Sequence, residues 1–345
     1  MVYRIGIVGA GFLTRHALIP AVREMPEARL AAVLDPDPQA RAAVAAQCPD
    51  ALVTGDEEDF FGTPLDAVHV ATPNHLHEHF ACRALDHGLA TIVDKPVAHT
   101  VASGRRILAA AEAAQAPAII GYMSKHNVYN REARRLVADG AIGRPLTMTA
   151  ARLGWRKDDW RSRPWASGLG CLADLGIYPV LTAIDLFGAE PVLCQATMWP
   201  AGDPDRTDLY GQATLWFDNH RYLQFEAAAT FYDQPASAEV ADYTLVGDAG
   251  IIQVRGAWQM DGTGSLERCD AQGWRPSADL TPVDPYLAQF RLLAACAAGA
   301  PVPADVSIDR SVRDLEILYT ISANAIAAIG PTPIQLGDSV TSPIG

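Results

Sequence analysis

The sequence predicts an α/β protein, with a doubly wound parallel sheet first and then an α+β domain holding a large open, mostly antiparallel sheet. Two observations lead to this fold class. Up to about residue 122, short apolar runs alternate with alanine-rich helical stretches, the order that builds a parallel sheet. From residue 192 onward, short alternating strands follow one another across turn residues. We expect a first domain at 1–122, a second at 123–338 and a tail at 339–345.

Composition limits the classes of partner. A net charge of −13 repels phosphate backbones, so nucleic acid is an unexpected ligand. No uninterrupted apolar stretch is long enough to span a bilayer, and the N-terminus lacks the features of a signal peptide. The six cysteines are scattered without a Cys-x-x-Cys pair, which is typical of reduced thiols in a cytoplasmic protein. We therefore expect neither a nucleic-acid nor a membrane partner.

The first strand, Tyr3 to Val8, runs into Gly9-Ala10-Gly11-Phe12-Leu13-Thr14 and then into a helix. Strand, glycine turn and helix are the context that a Rossmann dinucleotide fingerprint requires. Gly9 permits the tight turn, and Gly11 lets backbone N–H groups approach a pyrophosphate at the helix N-terminus. Thr14 stands where the third glycine is usual, at a position that serves helix–strand packing. The turn predicts a dinucleotide site.

The second strand, Arg29 to Leu34, ends at Asp35, which follows Gly11 by 24 residues. An acid there accepts hydrogen bonds from the adenosine ribose hydroxyls and repels a 2′-phosphate. No arginine directly follows it. We therefore expect NAD as the preferred cofactor, with NADP possible; the alternative is a plain turn aspartate before Pro36.

Two later strands also end in polar residues. The strand from Ala67 to Ala71 is followed by Thr72-Pro73-Asn74-His75-Leu76-His77, whose Thr72, Asn74 and His77 should line the cofactor crevice. Histidines at alternate positions face different sides of a helix, so no metal site is expected there. The run Thr91-Ile92-Val93 ends in Asp94-Lys95-Pro96, and proline stops the strand. A lysine is thereby placed at the edge where open α/β sheets bind ligands, unless it simply caps a surface strand.

The second domain carries two further candidate groups. The loop from Trp155 to Trp165 concentrates tryptophan and arginine, which suit stacking on and hydrogen bonding to a polyhydroxylated ring, although a packed surface loop has the same composition. After a glycine-rich stretch, Asp174 and Tyr178 are four residues apart and should project from one helix face. Tyr178 could instead be a core residue whose hydroxyl is satisfied. The predicted substrate contacts are Lys125, Trp155, Arg156, Trp160, Arg161, Asp174 and Tyr178.

Thr72-Pro73-Asn74 with His77, then Asp94-Lys95-Pro96, and then Asp174 before Tyr178 resemble the motifs of the glucose–fructose oxidoreductase, inositol dehydrogenase and rhizopine-catabolism family (Gfo/Idh/MocA). Two positions depart from the family pattern: Asp94 replaces a glutamate, and Tyr178 replaces a histidine, as in the tyrosine-bearing branch. The resemblance implies that Lys95 is catalytic, with Tyr178 and Asp174, and that the Thr72–His77 segment contacts the nicotinamide half of the cofactor. The predicted cofactor contacts are Gly9, Gly11, Phe12, Leu13, Asp35, Thr72, Pro73, Asn74, His77, Asp94, Lys95 and Pro96.

A phenol replaces an imidazole as acid or base only with help, because its reference pKa is near 10; a nearby Lys95 ammonium would favour the phenolate. We therefore expect a cytoplasmic NAD(P)-dependent dehydrogenase of a sugar, sugar derivative or cyclic polyol. An open sheet needs a cover, so a homodimer or homotetramer through the second-domain sheet is expected. The alternatives are a dihydrodiol dehydrogenase-like or redox-neutral enzyme that retains NAD, and a non-catalytic NAD(P)-binding sensor.

Overall fold

A computed structural model of the chain describes residues 2–154, 159–217, 221–229, 239–277, 280–328, 330 and 332–335. Its first part is a six-stranded, entirely parallel sheet in the order β3-β2-β1-β4-β5-β6. The strands are β1 (Tyr3–Val8), β2 (Ala28–Leu34), β3 (Leu52–Thr54), β4 (Ala67–Val70), β5 (Ala90–Asp94) and β6 (Ala118–Gly121). The order reverses between β1 and β4, which is the switch point where doubly wound sheets bind ligands.

Helices cover this sheet, and a single π-helical turn, Thr14–Leu18, follows the glycine loop. The helices are α1 (Ile19–Arg23), α2 (Pro38–Gln47), α3 (Glu57–Gly62), α4 (His77–Asp86) and α5 (Val101–Ala114). β3 and α3 were not predicted. β3 has only three residues, and α3 is a short acidic helix begun by Asp56, whose side chain accepts from the Glu58 and Asp59 amides. Neither has the apolar periodicity on which the prediction depended.

The second part is a nine-stranded mixed sheet in the order β14-β13-β12-β11-β7-β10-β9-β8-β15. Its strands are β7 (Pro145–Leu153), β8 (Leu193–Trp199), β9 (Tyr210–Trp216), β10 (Tyr222–Ala228), β11 (Val240–Gly247), β12 (Ile251–Arg255), β13 (Ser265–Asp270), β14 (Gly273–Pro276) and β15 (Thr332–Pro333). Seven of its eight strand pairs are antiparallel, and only β7 and β10 run parallel. The predicted fold class, a Rossmann parallel sheet followed by an open, mostly antiparallel sheet, is confirmed.

Helices pack on one face of the second sheet, and several also reach the first domain. They are α6 (Met123–His126), α7 (Val128–Ala138), α8 (Pro164–Ser167), α9 (Cys171–Asp174), α10 (Ile177–Phe187), α11 (Pro285–Ala297) and α12 (Ile308–Ala327). α12 packs on β8 and also on α5, and α11 packs on β5. The Tyr122 hydroxyl donates to Asp314 (2.8 Å) and lies 2.9 Å from the Ser311 hydroxyl, so a buried network ties the end of the parallel sheet to α12.

The other face of the second sheet is open in the chain as described. Along β8 to β10 the burial alternates, and the outward positions are mostly polar: Gln195, Thr197, Gln212, Thr214, Gln224 and Glu226. Within the described ranges, no single helix has the length and apolar composition needed to cross a membrane; Pro164–Asp174 and Ile177–Phe187 meet that test only jointly, across a 50° bend.

Candidate active site

The glycine turn after β1 is shaped by close packing. Gly9 has φ +101°, and a Cβ there would lie 2.5 Å from the Ala71 carbonyl oxygen, so only glycine fits. Thr14, at the third-glycine position, is fully buried and donates to the Gly9 carbonyl at 2.5 Å. Thr14 therefore adds a hydrogen bond to the turn, which a glycine at this position could not make. Between Gly11 and Thr14, Phe12 is 53% exposed and Leu13 is half-buried.

Asp35 lies beside this turn at the end of β2. Its Oδ2 accepts from the Ala10 amide (2.7 Å) and its Oδ1 from the Asp37 amide (2.8 Å). Arg41 holds the chain from the other side by donating to the Asp35 and Pro36 carbonyls (2.9 and 2.8 Å). A Cβ on Gly11 would meet nothing within 4 Å, so the turn leaves open space above it. The glycine turn and the adjacent carboxylate fit the pyrophosphate and ribose of a dinucleotide.

The segment after β4 forms the wall of the crevice. The Thr72 hydroxyl is buried and has no hydrogen-bond partner in the described chain, so it can serve a bound group. Asn74 donates across the domains to the Ser167 carbonyl (2.8 Å). The His77 ring nitrogens face the Thr72 carbonyl (2.9 Å) and the Pro96 carbonyl (3.0 Å), so this ring joins the two predicted motifs to each other. Pro73 is half-buried. Cofactor contacts by Asn74 and His77 remain predictions.

Lys95 directly follows β5 and reaches into the second domain. Its Nζ donates to both the Oδ1 and the backbone carbonyl of Asp174, each at 2.8 Å, and lies 4.8 Å from the centre of the Tyr178 ring. Burial is the largest single effect and opposes the charge of the ammonium, but Asp174, Tyr178 and Asp94 together outweigh it, and the pKa of Lys95 is raised. Lys95 is therefore a fixed, partly buried cation between a carboxylate and a phenol.

Asp174 and Tyr178 do not share one helix, contrary to the prediction. α9 ends at Asp174 and α10 begins at Ile177, with the 50° bend between the two helical segments. The bend lies at Gly176, where a Cβ would be 2.0 Å from the Leu172 carbonyl oxygen. The two side chains nevertheless both reach Lys95.

The glycine-rich stretch before α9 lets this segment pass close to other backbone. Gly168 has φ +79°, and a Cβ there would lie 2.0 Å from the His99 carbonyl oxygen in the first domain. A Cβ on Gly170 would lie 1.6 Å from the Asp208 carboxylate, whose Oδ2 accepts from the Leu172 amide at the start of α9 (2.6 Å). These contacts fix the position of Asp174 at the other end of α9.

Tyr178 contacts an aromatic ring, a hydroxyl and a guanidinium of the second domain. Its ring stacks with that of Trp258 (centroids 6.2 Å apart, 30° between planes). The Trp258 indole N–H donates to the Thr182 hydroxyl (3.1 Å), which donates in turn to the Tyr178 carbonyl (2.8 Å). The guanidinium carbon of Arg152 lies 5.9 Å from the Tyr178 ring centre. Two cations therefore lie beside this one ring.

Asp94 lies next to this cluster rather than in it. Burial raises the pKa of Asp94 to about 6, although the Lys95 ammonium opposes the rise. A Cβ on Gly121 would come within 3.0 Å of its Oδ1, so the carboxylate leans towards the end of β6. Pro96 follows through a cis Lys95–Pro96 peptide. The predicted motif thus turns sharply just where Lys95 leaves the sheet.

The predicted substrate residues are placed unevenly. Trp155 and Arg156 lie outside the described residues. The Arg161 guanidinium stacks on the Trp160 ring (4.4 Å) and pairs with Asp159 (2.9 Å). The Lys125 ammonium is buried against Asp185 on α10, two turns beyond Tyr178. Substrate contacts by Trp160, Arg161 and Lys125 remain predictions.

Sequence reasoning missed Arg152, Glu239, Trp258 and Asp208. Arg152 carried a signal, since it is the one charged residue of β7, but an arginine near a strand end is normally solvated. The partners of these residues are remote in sequence; Arg152 and Glu239 are 87 residues apart. Among the residues that the structure describes, no group of three or more His, Cys, Asp or Glu side chains is arranged to hold a metal.

Comparison with known proteins adds independent findings. The model of the oxidoreductase family with an NAD-binding Rossmann fold (GFO_IDH_MocA) matches residues 3–122, and the GFO/IDH/MocA C-terminal domain matches residues 130–253. A D-xylose 1-dehydrogenase [NADP(+)] of Haloarcula marismortui is 26% identical over 85% of this chain and 83% of its own. An inositol 2-dehydrogenase of Burkholderia multivorans is 33% identical over 44% of this chain and 46% of its own.

Solved structures agree over nearly the whole chain. An aldose-aldose oxidoreductase from Caulobacter crescentus, solved with glycerol, superposes with a TM-score of 0.86 at 25% identity, covering 96% of this chain and 100% of that one. A levoglucosan dehydrogenase solved with NADH and levoglucosan gives a TM-score of 0.83 at 20% identity, covering 97% and 100%, and supports the fold.

Proposed function

The chain belongs to the Gfo/Idh/MocA oxidoreductases, and from that premise we propose that it is an NAD(P)-dependent dehydrogenase of a secondary alcohol in a sugar, sugar derivative or cyclic polyol. The observation that carries the proposal is the Lys95 ammonium, bonded to Asp174 at 2.8 Å and 4.8 Å from the Tyr178 ring centre. Only β4 separates β5 from β1, so the glycine turn and Lys95 are about 10 Å apart along the sheet edge. One dinucleotide can span that distance.

The side chains divide the chemistry among them. When bound, the nicotinamide supplies the hydride acceptor at C4. As the carbinol C–H bond breaks with its electron pair, Tyr178 takes the hydroxyl proton and the C=O bond forms. Lys95 stabilises the negative charge that develops on the substrate oxygen, and Asp174 fixes the ammonium through two hydrogen bonds. In the reducing direction, Tyr178 returns the proton.

For the cofactor, we favour NAD over NADP. The Asp35 carboxylate beside the glycine turn supports this choice, because a 2′-phosphate placed there would meet a like charge. Arg41 donates to backbone carbonyls through its Nη1 and lies close by, so it offers a cation through which NADP could also be accepted.

The test is a panel of sugars, polyols and dihydrodiols with NAD and with NADP, followed by nicotinamide absorbance. We expect at least one sugar or polyol to be oxidised, with a higher kcat/KM for NAD, and we expect Tyr178→Phe to abolish turnover while cofactor binding persists. A purified protein that binds the cofactor but turns over none of the panel supports the sensor alternative. Normal turnover by Tyr178→Phe contradicts the role given to the phenol.

A second candidate is a redox-neutral enzyme that retains its NAD. The structural similarity to an aldose-aldose oxidoreductase supports this second candidate. It is distinguished by a cofactor that co-purifies, survives dialysis and is alternately reduced and reoxidised by two substrates.

We propose that the second-domain sheet forms a homodimer or homotetramer. Its outward face between β8 and β10 has no cover among the described residues, and Trp199 and Tyr210 at its end are stacked (5.8 Å) yet 56% and 48% exposed. Sedimentation of the wild type and of Gln212→Arg tests this assembly, because a charge in the centre of the face should dissociate the oligomer. An unchanged sedimentation coefficient contradicts it. The cytoplasmic location remains a prediction.

A further inference from the structure

We propose that Arg152, held by Glu239, is a positioning residue for Tyr178, and that its buried guanidinium stabilises the phenolate which takes the substrate proton. The inference rests on the proposed function. It adds a second cation to the Lys95–Tyr178 pair, supplied by the second-domain sheet rather than by the first domain.

The sheet provides a slot for this side chain. In the register of β7, the partner of Arg152 is Ala227 on β10 and Ala241 on β11, and both alanines are buried. Small residues on both sides leave room for a guanidinium on the inner face, where Arg152 is only 8% exposed. An aliphatic side chain would fill that site without the cost of burying a charge. The retained charge therefore calls for an explanation.

Glu239 explains only part of it. The Arg152 Nη2 donates to the Glu239 Oε2 at 2.8 Å, and Nη1 makes a long contact with the Leu153 carbonyl (3.4 Å). The buried Nε has no hydrogen-bond partner among the described residues. A purely structural ion pair would satisfy more of its donors. Two phenols lie within reach of its charge: the Tyr178 ring, whose centre is 5.9 Å from the guanidinium carbon, and the buried Tyr286.

The charges around Tyr178 come from several elements. The described charged or titratable groups that face it, contact its immediate neighbours or lie within electrostatic reach are Lys95, Asp94, Asp174, Arg152, Glu239, Tyr286, Tyr243 beyond Trp258, and, farther along α10, Asp185 with Lys125. Asp174 already neutralises Lys95 at 2.8 Å. Arg152 and Glu239 form a similar pair on the side of the sheet. Each of the two cations beside Tyr178 is therefore partly neutralised by one carboxylate.

This arrangement predicts opposite effects of two substitutions on the Tyr178 phenolate. Removing Arg152 should disfavour the phenolate, and neutralising Glu239 should favour it, because the arginine then acts without its counter-charge. A unit charge about 6 Å away, at an effective dielectric constant of about 20, shifts a titration midpoint by up to about two pH units. With the partner offsetting part of this, we expect about one unit in each direction.

The experiment follows the tyrosinate absorbance of the full-length protein against pH, as the difference between each variant and the same variant carrying Tyr178→Phe. The set is wild type, Arg152→Met, Arg152→Lys, Glu239→Gln and the control Tyr243→Phe, which removes a neighbouring buried, unpartnered hydroxyl but no charge. We expect the midpoint to rise in Arg152→Met, fall in Glu239→Gln and stay near wild type in Arg152→Lys and Tyr243→Phe. The acid limb of the alcohol oxidation rate should move in the same directions.

Midpoints that are unchanged, or that move in the same direction in Arg152→Met and Glu239→Gln, overturn the inference. If Arg152→Met does not fold, Glu239→Gln and Arg152→Lys still decide, since an unmoved Glu239→Gln midpoint is sufficient to refute it. A wild-type protein that turns over none of the sugars, polyols and dihydrodiols would instead refute the proposed function, whatever the absorbance titration gives. The two failures are therefore distinguishable.

Discussion

Replacing Lys95 by methionine removes the cation of the candidate site and keeps a side chain of similar length. The Nζ lies 4.8 Å from the Tyr178 ring centre. At an effective dielectric constant of about 20, a unit charge at that distance stabilises an opposite charge by about 3.5 kcal/mol, or roughly 300-fold in rate. Removal of one preorganised donor to a developing oxyanion costs a similar factor, about 10²–10³ in kcat.

The loss should appear in kcat and not in cofactor binding, because the nucleotide turn lies at the end of β1 and Lys95 at the end of β5. We expect the NAD dissociation constant of Lys95→Met to stay within about tenfold of wild type. Steady-state oxidation of the best substrate of the panel and fluorescence titration with NADH measure the two quantities. Retention of more than a tenth of wild-type turnover would refute the electrostatic argument.

A stability control is needed because the substitution also leaves Asp174 without its ammonium. Lys125→Met is a matched change: its side chain is 7% exposed against 14% for Lys95, and it too pairs with an aspartate. Both variants should lose about 1–3 kcal/mol of unfolding free energy, as for a buried polar group deprived of a partner. Urea denaturation of both separates this common cost from the loss in kcat, which the electrostatic argument assigns to Lys95.

Three further outcomes are expected. Asp35→Ser should raise the ratio of kcat/KM for NADP over NAD at least about tenfold by removing a like charge from the 2′-phosphate, and an unchanged ratio speaks against the ribose contact. Gly9→Ala should lose at least about 2 kcal/mol in urea denaturation, since its φ is +101° and a Cβ meets a carbonyl, whereas Gly11→Ala, with open space above it, should keep its stability and weaken dinucleotide binding; equal stability in both variants contradicts this. Burial lowers the pKa of three imidazoles: His69 to about 3, and His77 and His126 to about 4. Below about pH 6.5 the unfolded chain therefore binds these protons and the folded chain does not, while Asp94, raised to about 6, takes roughly one proton in the opposite sense. For these four groups the net uptake on unfolding near pH 5 is about two protons, so their contribution to the unfolding free energy should fall by about 3 kcal/mol for each unit by which the pH is lowered. An unfolding free energy that stays constant between about pH 7 and pH 5 would contradict this prediction.

The nucleotide half of the site was predictable because it depends on local sequence. A strand, a turn that only glycine can make and a helix follow one another within a few residues, and parallel strands bring their carboxyl ends to one edge. Lys95 and Asp35 could therefore be placed at that edge without knowledge of the second domain. β3 escaped prediction because a three-residue edge strand carries too little pattern.

The second-domain half was less predictable because its contacts depend on register and on remote partners. Arg152 is buried only because two alanines from other strands flank it, and Ala241 is 89 residues away along the chain. Glu239 directly precedes β11, and Trp258 follows β12, so the same sheet brings both residues to the site. No window of sequence contains this information, and a lone arginine at a strand end is ordinarily solvated.

Asp174 and Tyr178 both lie beside Lys95, as the motif suggested, but they do not lie on one continuous helix. Four residues on one continuous helix would bring the pair together directly. Here Gly176 permits a 50° bend instead, and Lys95 from the other domain bonds the carboxylate and the backbone carbonyl at the end of α9. The convergence is therefore made by a contact between domains. It follows that a residue with a Cβ at position 176, which would press on the Leu172 carbonyl oxygen at 2.0 Å, should disturb Tyr178 relative to Lys95 without touching either residue.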